Sequence, residues 1–199
     1  SGWTSEAGKN LAFSVLYNQK IEEISSLFTL NIIVALSVVE GLKTVSNLNF
    51  AIKWPNDILA ENKKIAGILI ENTFKNSNEV QSIIGIGLNV NQSHFENLPQ
   101  ASSLFLLENQ LFDRNALLIS IVNRLEFNLN QLENLKEDYF WNTYHAILFK
   151  KEVVSTFESA LGNRFVGKIQ KVTKDGKLEV LLEDDSITFF DVKEVKMLY

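Results

Sequence analysis

Apolar residues recur at Phe28, Ile32, Ala35, Leu36, Val39 and Leu42, a helical spacing interrupted by a single charge, Glu40. A helix this apolar has little surface to give to water, so other elements must cover it on most sides. Ser25 or Ser26 offers an N-cap, and the spacing predicts a helix running to about Val45. Its neighbours in sequence are strand-like. Residues 11–17 are apolar and partly alternating, and residues 50–54 form a short apolar run stopped by Pro55. Ile58-Leu59 and residues 65–70 flank Glu61-Asn62-Lys63 in the pattern of a hairpin, and centring it near Asn62 sets Asp57 across from Gly67. Residues 80–90 are a further strand, rich in Ile and Gly. The expectation is an α+β fold, a mixed or antiparallel sheet packed with helices.

Residues 91–111 read as a loop carrying Pro99 and Ser102-Ser103. Asp113 is placed to cap a second helix with Leu118, Ile121, Val122, Leu125, Leu129 and Leu132 on its apolar side, and residues 136–149 predict a third helix around Phe140, Trp141, Tyr144 and Ile147. The texture changes near Lys150. Short strands are expected at 153–157, 164–172, 177–182 and 187–192, with Asp175-Gly176 as a tight turn. The division expected is therefore a larger unit at 1–149 and a small β-barrel-like module at 150–199.

Composition narrows the function classes. A chain of 199 residues with 46% hydrophobic and 22% charged residues is globular rather than disordered. A net charge of −5, with no Lys/Arg run longer than a pair, argues against a nucleic-acid partner. The absence of cysteine removes disulfides, thiolate metal sites and a Cys nucleophile, and two histidines, His94 and His145, are too few for a His-rich metal cluster. No apolar run reaches the roughly 18 residues of a membrane span, and no basic opening precedes an apolar stretch. A cytoplasmic protein without a membrane partner is expected, and the lack of cysteine fits a reducing compartment. The first residue is Ser1 rather than Met, so further residues are expected upstream.

Several segments pair an ordinary structural reading with a chemical one. Lys53-Trp54-Pro55-Asn56-Asp57 is good turn chemistry, yet it also gathers a cation, an amide and a carboxylate at one strand end, suited to a phosphate or to Mg²⁺. Lys63-Lys64 opening an apolar strand is commonly a solvated strand end. Strict alternation, however, puts Lys64 on the face of Ala66, Ile68 and Ile70, where a buried ammonium would need an anion such as a ligand carboxylate or phosphate. Gly67 in mid-strand suggests close approach of a ligand or another backbone. Gly85-Ile86-Gly87-Leu88-Asn89 is not a dinucleotide fingerprint, because the third glycine and the following helix are absent. Its bare backbone suits a flat ligand, and Asn89 offers both a donor and an acceptor. Trp3 is either a hydrophobic plug or a ligand platform.

Taken in order, Lys53-Trp54-Pro55-Asn56-Asp57, Lys64-Ile65-Ala66-Gly67-Ile68-Leu69-Ile70-Glu71 and Gly85-Ile86-Gly87-Leu88-Asn89 resemble biotin protein ligase (biotin–[acetyl-CoA-carboxylase] ligase). Residues 3–11 are similar to the stretch that follows the family's glycine- and arginine-rich ligand loop, and residues 150–199 to its small C-terminal SH3-like domain. The resemblance implies a class II synthetase-like catalytic domain and a two-step reaction. Biotin is activated with ATP to biotinyl-5′-AMP, and biotin is then transferred to a lysine of a biotin carboxyl carrier protein. By the same resemblance Lys64, Lys53 and Asp57 are catalytic. Trp3, Ser14, Lys64, Gly67 and Gly85 hold biotin. Lys53, Asn56, Asp57, Gly87 and Asn89 hold ATP, and Asp57 holds Mg²⁺. In the C-terminal module Arg164 and Lys168 are the candidates for reaching ATP.

The family's Gly-Arg-Gly loop and its ureido-binding Ser/Thr-Asn segment are not among these residues and are expected before Ser1. No helix-turn-helix of the DNA-binding repressor type is visible. Partner docking and self-association in the family use sheet edges, so an exposed strand here is a candidate for homodimer pairing. The alternatives are a lipoate or octanoate ligase or transferase of the same fold, and a non-catalytic module that binds biotin or a partner.

Overall fold

Helix α1 (Leu27–Leu42) lies at the centre of this computed structural model, which describes residues 6–20, 27–75, 79–131 and 137–199. Ile32, Ile33, Val34, Ala35, Val38 and Leu42 are fully buried in it. The helix stops short of Val45, where Thr44 N donates to Gly41 O (3.3 Å) and Val45 N to Leu42 O (3.1 Å) in tighter turns. Ser25 and Ser26 lie outside the described residues.

The helix packs on a sheet of β1 (Leu11–Lys20), β2 (Phe50–Lys53), β3 (Asp57–Ala60), β4 (Lys63–Phe74) and β5 (Glu79–Leu88), ordered β1-β5-β4-β3-β2. Every pairing within it is antiparallel. Alternation divides the faces: Ile68, Ile84, Ile86 and Leu88 are buried on the helix side, while Ser14, Leu16, Leu69 and Ile83 are open on the other. The β3–β4 hairpin turns through Glu61 and Asn62, both at positive φ (48° and 64°), the conformation of a tight two-residue turn. Asp57 pairs with Gly67, as the hairpin reading expects.

The expectation for Lys64 is corrected here. A bulge pairs Ile58 with Ala66 and Leu59 with Lys64, leaving Ile65 unopposed. The alternation is broken at that point: of Ala66, Ile68 and Ile70, expected on one face with Lys64, Ala66 borders the same cavity, while the Lys64 ammonium emerges over Gly67 on the open face, away from Ile68 and Ile70.

Residues 91–111, read as loop, contain a short helix α2 (Leu104–Glu108), too brief to leave a periodic signal. Ser103 caps it, its Oγ accepting from Leu106 N at 3.1 Å. Asp113 caps α3 (Arg114–Asn130) through Asn115 N and Ala116 N. Leu132, expected on that helix, lies outside the described residues. Helix α3 crosses α1 closely at Gly41, where a Cβ would stand 2.7 Å from the Ile121 side chain and 2.8 Å from its Cα. Helix α4 (Glu137–Ala146) ends before residue 149, because Leu148 and Phe149 leave it to extend the sheet beside β2. Ile52 N donates to Ile147 O (2.9 Å), and Phe149 N donates to Ile52 O (2.8 Å). Among the described residues no helix is long and apolar enough to cross a membrane.

A second antiparallel sheet comprises β6 (Val154–Ser159), β7 (Arg164–Val172), β8 (Leu178–Leu182), β9 (Ile187–Phe190) and β10 (Val195–Leu198), ordered β10-β6-β7-β8-β9. This β-rich region fits an SH3-like domain. Phe165 stacks between Phe157 (5.4 Å) and Phe190 (5.5 Å). Strand β10 was not foreseen, since Val195-Lys196-Met197-Leu198 is too short to show a period.

The two sheets are joined at the β7–β8 turn. Trp54 Nε1 donates to Gly176 O at 2.9 Å, and the Phe28 ring fills the space where a Gly176 Cβ would lie, 2.6 Å away. Nearby, the Val172 amide donates to His145 Nε2 at 3.0 Å, and the Val172 carbonyl lies 3.1 Å from the same atom. Burial pushes the His145 pKa below the ordinary imidazole value, outweighing the Val172 carbonyl, which raises it, while Lys151 and Lys171 lower it further. The unfolded chain then binds the proton more tightly than the folded one. This contribution to stability is present above the ordinary value of about 6.5 and is lost as the pH falls through the lower folded value. His145→Gln should flatten the fall in stability between about pH 7 and about pH 5, read by chemical denaturation across that range.

Candidate active site

The open face of the first sheet carries the candidate site, and the turn between β2 and β3 supplies its charges. Pro55 and Asn56 are pinned from both sides. Asn31 Nδ2 of α1 donates to Pro55 O (2.7 Å), while Asn56 Nδ2 donates to Ile68 O (2.6 Å) and Ile68 N returns to Asn56 O (3.0 Å). The Trp54–Pro55 peptide is cis. So held, Lys53 and Asp57 stand opposite each other in the register, with Lys53 Nζ 3.6 Å from Asp57 Oδ2. From β4, Lys64 Nζ reaches Asp57 Oδ1 at 2.5 Å. Two ammonium groups from neighbouring segments thus converge on one carboxylate. The Lys53 and Asp57 side chains are each 17% exposed and Lys64 is 41% exposed, so one lysine is held inside and the other faces the opening.

Burial lowers the Lys53 pKa from the ordinary lysine value. Asp57 opposes this by Coulombic attraction and hydrogen bonding, while the like charges of Lys64 and Lys196 add to the lowering. The Tyr199 ring lies 5.3 Å from Lys53 Nζ, in cation–π range, and makes an edge contact with Phe149 at 5.2 Å. Burial raises the Tyr199 phenol pKa, with Asp57 adding to the effect.

These groups border a cavity of about 510 Å³. Lys53, Lys64, Ala66 and Asn89 form one wall; residues 95 and 97–101 form a second, and Lys196, Met197 and Tyr199 a third. The covering loop is fastened at Lys64, whose amide donates to Gln100 O (2.7 Å) and whose carbonyl accepts from Ser102 N (2.9 Å). Lys63 Nζ donates to Pro99 O at 2.7 Å, and the Gln100 side-chain amide donates to the Tyr199 carbonyl.

The glycines form the floor beside it. Gly67 pairs with Gly87, and Gly85 pairs with Ser14 and Leu69. The atoms nearest a Cβ on Gly67 would be Lys64 Nζ (3.6 Å), Lys64 Cε (3.7 Å) and Asp57 Oδ1 (3.8 Å). One on Gly85 would meet Leu69 O at 3.5 Å and Ser14 Oγ at 3.9 Å. These are ordinary van der Waals distances, so the contacts at these positions do not by themselves demand glycine.

Asn89 is buried at the cavity wall. Its Nδ2 donates to Ser102 O (3.0 Å), whereas its Oδ1 has no hydrogen-bond partner among the described residues. A buried acceptor left unpaired is costly.

The structure therefore brings Lys53, Lys64 and Asn89 to one cavity, with Asp57 behind them paired to both lysines, and sets Gly67, Gly85, Gly87 and Ser14 on the adjoining open face. Asn56 stands beside them, its side-chain nitrogen committed to β4. Trp3 lies outside the described residues. Of the second sheet, Arg164 is paired with Glu158 (3.3 Å), and neither it nor Lys168 lines the cavity. Lys196, Met197, Tyr199 and the roof from 95 to 101 were missed in the sequence, because their part in the site arises from long-range packing and carries no local motif.

Residues 2–89 match the model of the Biotin/lipoate A/B protein ligase family. Over 203 aligned residues the chain is 27% identical to a bifunctional ligase/repressor BirA of Bacillus spizizenii, covering 99% of this chain and 58% of that protein. It is 31% identical over 136 residues to a biotin–[acetyl-CoA-carboxylase] ligase of Mycobacterium tuberculosis, covering 67% of this chain and 49% of that protein. The chain thus spans about half the length of these curated relatives. Its fold is similar to that of the biotin protein ligase from Aquifex aeolicus in complex with biotin and ATP. The TM-score is 0.77 at 26% identity, covering 96% of this chain and 78% of that one.

Proposed function

We propose that this chain is a biotin protein ligase, acting on biotin, ATP and a lysine of a biotin carboxyl carrier protein in the cytoplasm. Residues 1–149 are its catalytic domain and 150–199 a C-terminal SH3-like domain. The observation that carries this reading is the convergence of Lys53 and Lys64, both lining the cavity, on Asp57, next to strand positions occupied by Gly67, Gly85 and Gly87. The first step joins two anions, a carboxylate and a polyphosphate, and cations fixed in a partly dry site lower the cost of bringing them together. A biotin carboxylate oxygen attacks the α-phosphorus. The bond from that phosphorus to the bridging oxygen breaks, and pyrophosphate leaves with the electron pair.

Lys64, being the more open of the two, is the partner for the biotin carboxylate and the adenylate oxygen. Lys53 sits by the phosphates. Gly67, Gly85 and Ser14 receive the bicyclic ring, with Trp3 contributing from upstream, and Gly87, Asn56 and Asn89 face the nucleotide. In the second step the acceptor amine attacks the mixed-anhydride carbonyl, the acyl–oxygen bond breaks, and AMP leaves with that electron pair. Asp57 is the acceptor for the proton the amine loses.

Mg²⁺ typically takes one or two protein carboxylates and completes its shell with water and substrate phosphates. Asp57 fits as such a single carboxylate, and no cluster of three or more acidic or histidine ligands occurs among the described residues. The ion would supply charge neutralisation of the phosphates. Strand β1 ends the sheet, and homodimer pairing along it belongs to the same reading.

The test is calorimetric titration of the full-length protein with biotin and with lipoate, followed by ATP-dependent pyrophosphate release. Biotin binding together with biotin-dependent pyrophosphate release is expected. Lipoate binding alone would instead mark a lipoate ligase, and biotin binding without pyrophosphate release a non-catalytic module.

A further inference from the structure

The single charge of α1, Glu40, stands at a groove of about 340 Å³ between α1, α3 and the start of α4. None of the groove's residues lines the cavity of Lys53 and Lys64. At its inner end Asn128 of α3, only 3% exposed, donates from Nδ2 to Ser37 Oγ (3.0 Å) and to Glu40 Oε2 (2.9 Å). A carboxylate can only accept, so the amide is fixed with its nitrogen toward Glu40. Asn128 Oδ1 and Glu40 Oε1 are left without a hydrogen-bond partner among the described residues. Both residues line the groove, and neither oxygen is fully enclosed by protein. One helical turn away, about 5.4 Å along the helices, the groove changes sign. Lys43 follows Glu40 by three residues, Arg124 precedes Asn128 by four, and both line the groove. Neither forms an ion pair among the described residues, with Glu40 or with another carboxylate. Thr44 beside them is already committed to Gly41 O (2.7 Å) and Ser120 Oγ (2.8 Å). The flanks are aromatic, from the exposed rings of Phe127 and Tyr139.

We propose that this groove is a second ligand site, built for a zwitterionic amino acid with an aromatic side chain. It goes beyond the ligase reading and does not depend on it. An anion alone would meet the Glu40 carboxylate, and a cation alone would meet Lys43 and Arg124. A molecule with an ammonium and a carboxylate a few bonds apart answers both levels of the groove. The ammonium donates to Glu40 Oε1 and Asn128 Oδ1, the two acceptors that lack a donor. The carboxylate faces Lys43 and Arg124, whose guanidinium can hold it through two parallel hydrogen bonds. The side chain lies against Phe127 and Tyr139 and covers rings otherwise open to water. The groove has the size of a small-molecule pocket at the lower end of the usual range. An inner end that is acidic and amide-lined, with a basic rim, also sets the direction in which the amino acid enters.

The test is calorimetric titration of the full-length protein with phenylalanine and tryptophan, each beside its decarboxylated amine and its deaminated acid. At least one amino acid should bind, and its amine and its acid should each bind at least about tenfold more weakly. Glu40→Gln and the double variant K43Q/R124Q should each weaken the amino acid by about tenfold. The double variant should leave the amine as it binds to wild type, because the amine makes no use of the two cations. Should E40Q lose its circular dichroism, K43Q/R124Q carries the same comparison, both side chains being exposed. Absence of binding by both amino acids would overturn the proposal. So would an amine or an acid that binds as tightly as its parent, or an affinity for the amino acid that K43Q/R124Q leaves unchanged.

Discussion

Lys64→Ala is expected to lower ATP-dependent pyrophosphate release by about 10²- to 10³-fold, the range lost when a fixed stabiliser of transition-state charge is removed. The fold should survive. The structural contacts of residue 64 are made by its backbone, which accepts from Ser102 N and donates to Gln100 O, and an alanine keeps both. The side chain is 41% exposed, so losing its pair with Asp57 should cost less than about 1 kcal/mol of stability. Unchanged circular dichroism together with collapsed activity is therefore the expected combination. Full activity would remove Lys64 from the mechanism.

Asp57→Asn is expected to lower the same activity by about 10²-fold, by a different route. Asp57 is the one group raising the proton affinity of Lys53 against burial and against the charges of Lys64 and Lys196. Without it the Lys53 pKa should move further down, because the desolvation remains and the attraction is gone. The alkaline limb of the pH–activity profile should accordingly shift to lower pH, a change that simple loss of a metal ligand would not produce. Wild-type turnover across the pH range would show that Asp57 neither balances the lysines nor takes part in the reaction.

How far the sequence could be read depended on the range of the interactions involved. The β3–β4 hairpin follows from local turn chemistry, and the expected pairing of Asp57 with Gly67 is present, although the turn is at Glu61-Asn62 and the bulge at Ile65 supplies the one-residue shift that brings the two opposite each other. Helix α1 was legible because apolar spacing is a strong signal, and Asp113 because capping is local chemistry. The facing of Lys64 was misread, since alternation holds only while the ladder is regular and no residue type marks this bulge. Helix α2 is shorter than the period that would reveal it. The roof at 97–101 and the wall from β10 reach the cavity through contacts far apart in sequence, such as Gln100 with Tyr199. No local window contains both partners. In the candidate site, the motif residues were visible as types in a string, while the residues that enclose them were not.

The unopposed Ile65 makes strand regularity a chemical variable. A regular ladder through the same residues, with Ile65 opposed, would set Lys64 three positions before Gly67 and turn its amine to the opposite face, leaving Asp57 facing Lys53 alone. Anyone transplanting the motif to another scaffold, or aligning distant chains to it, has to match the strand irregularity as strictly as the lysine.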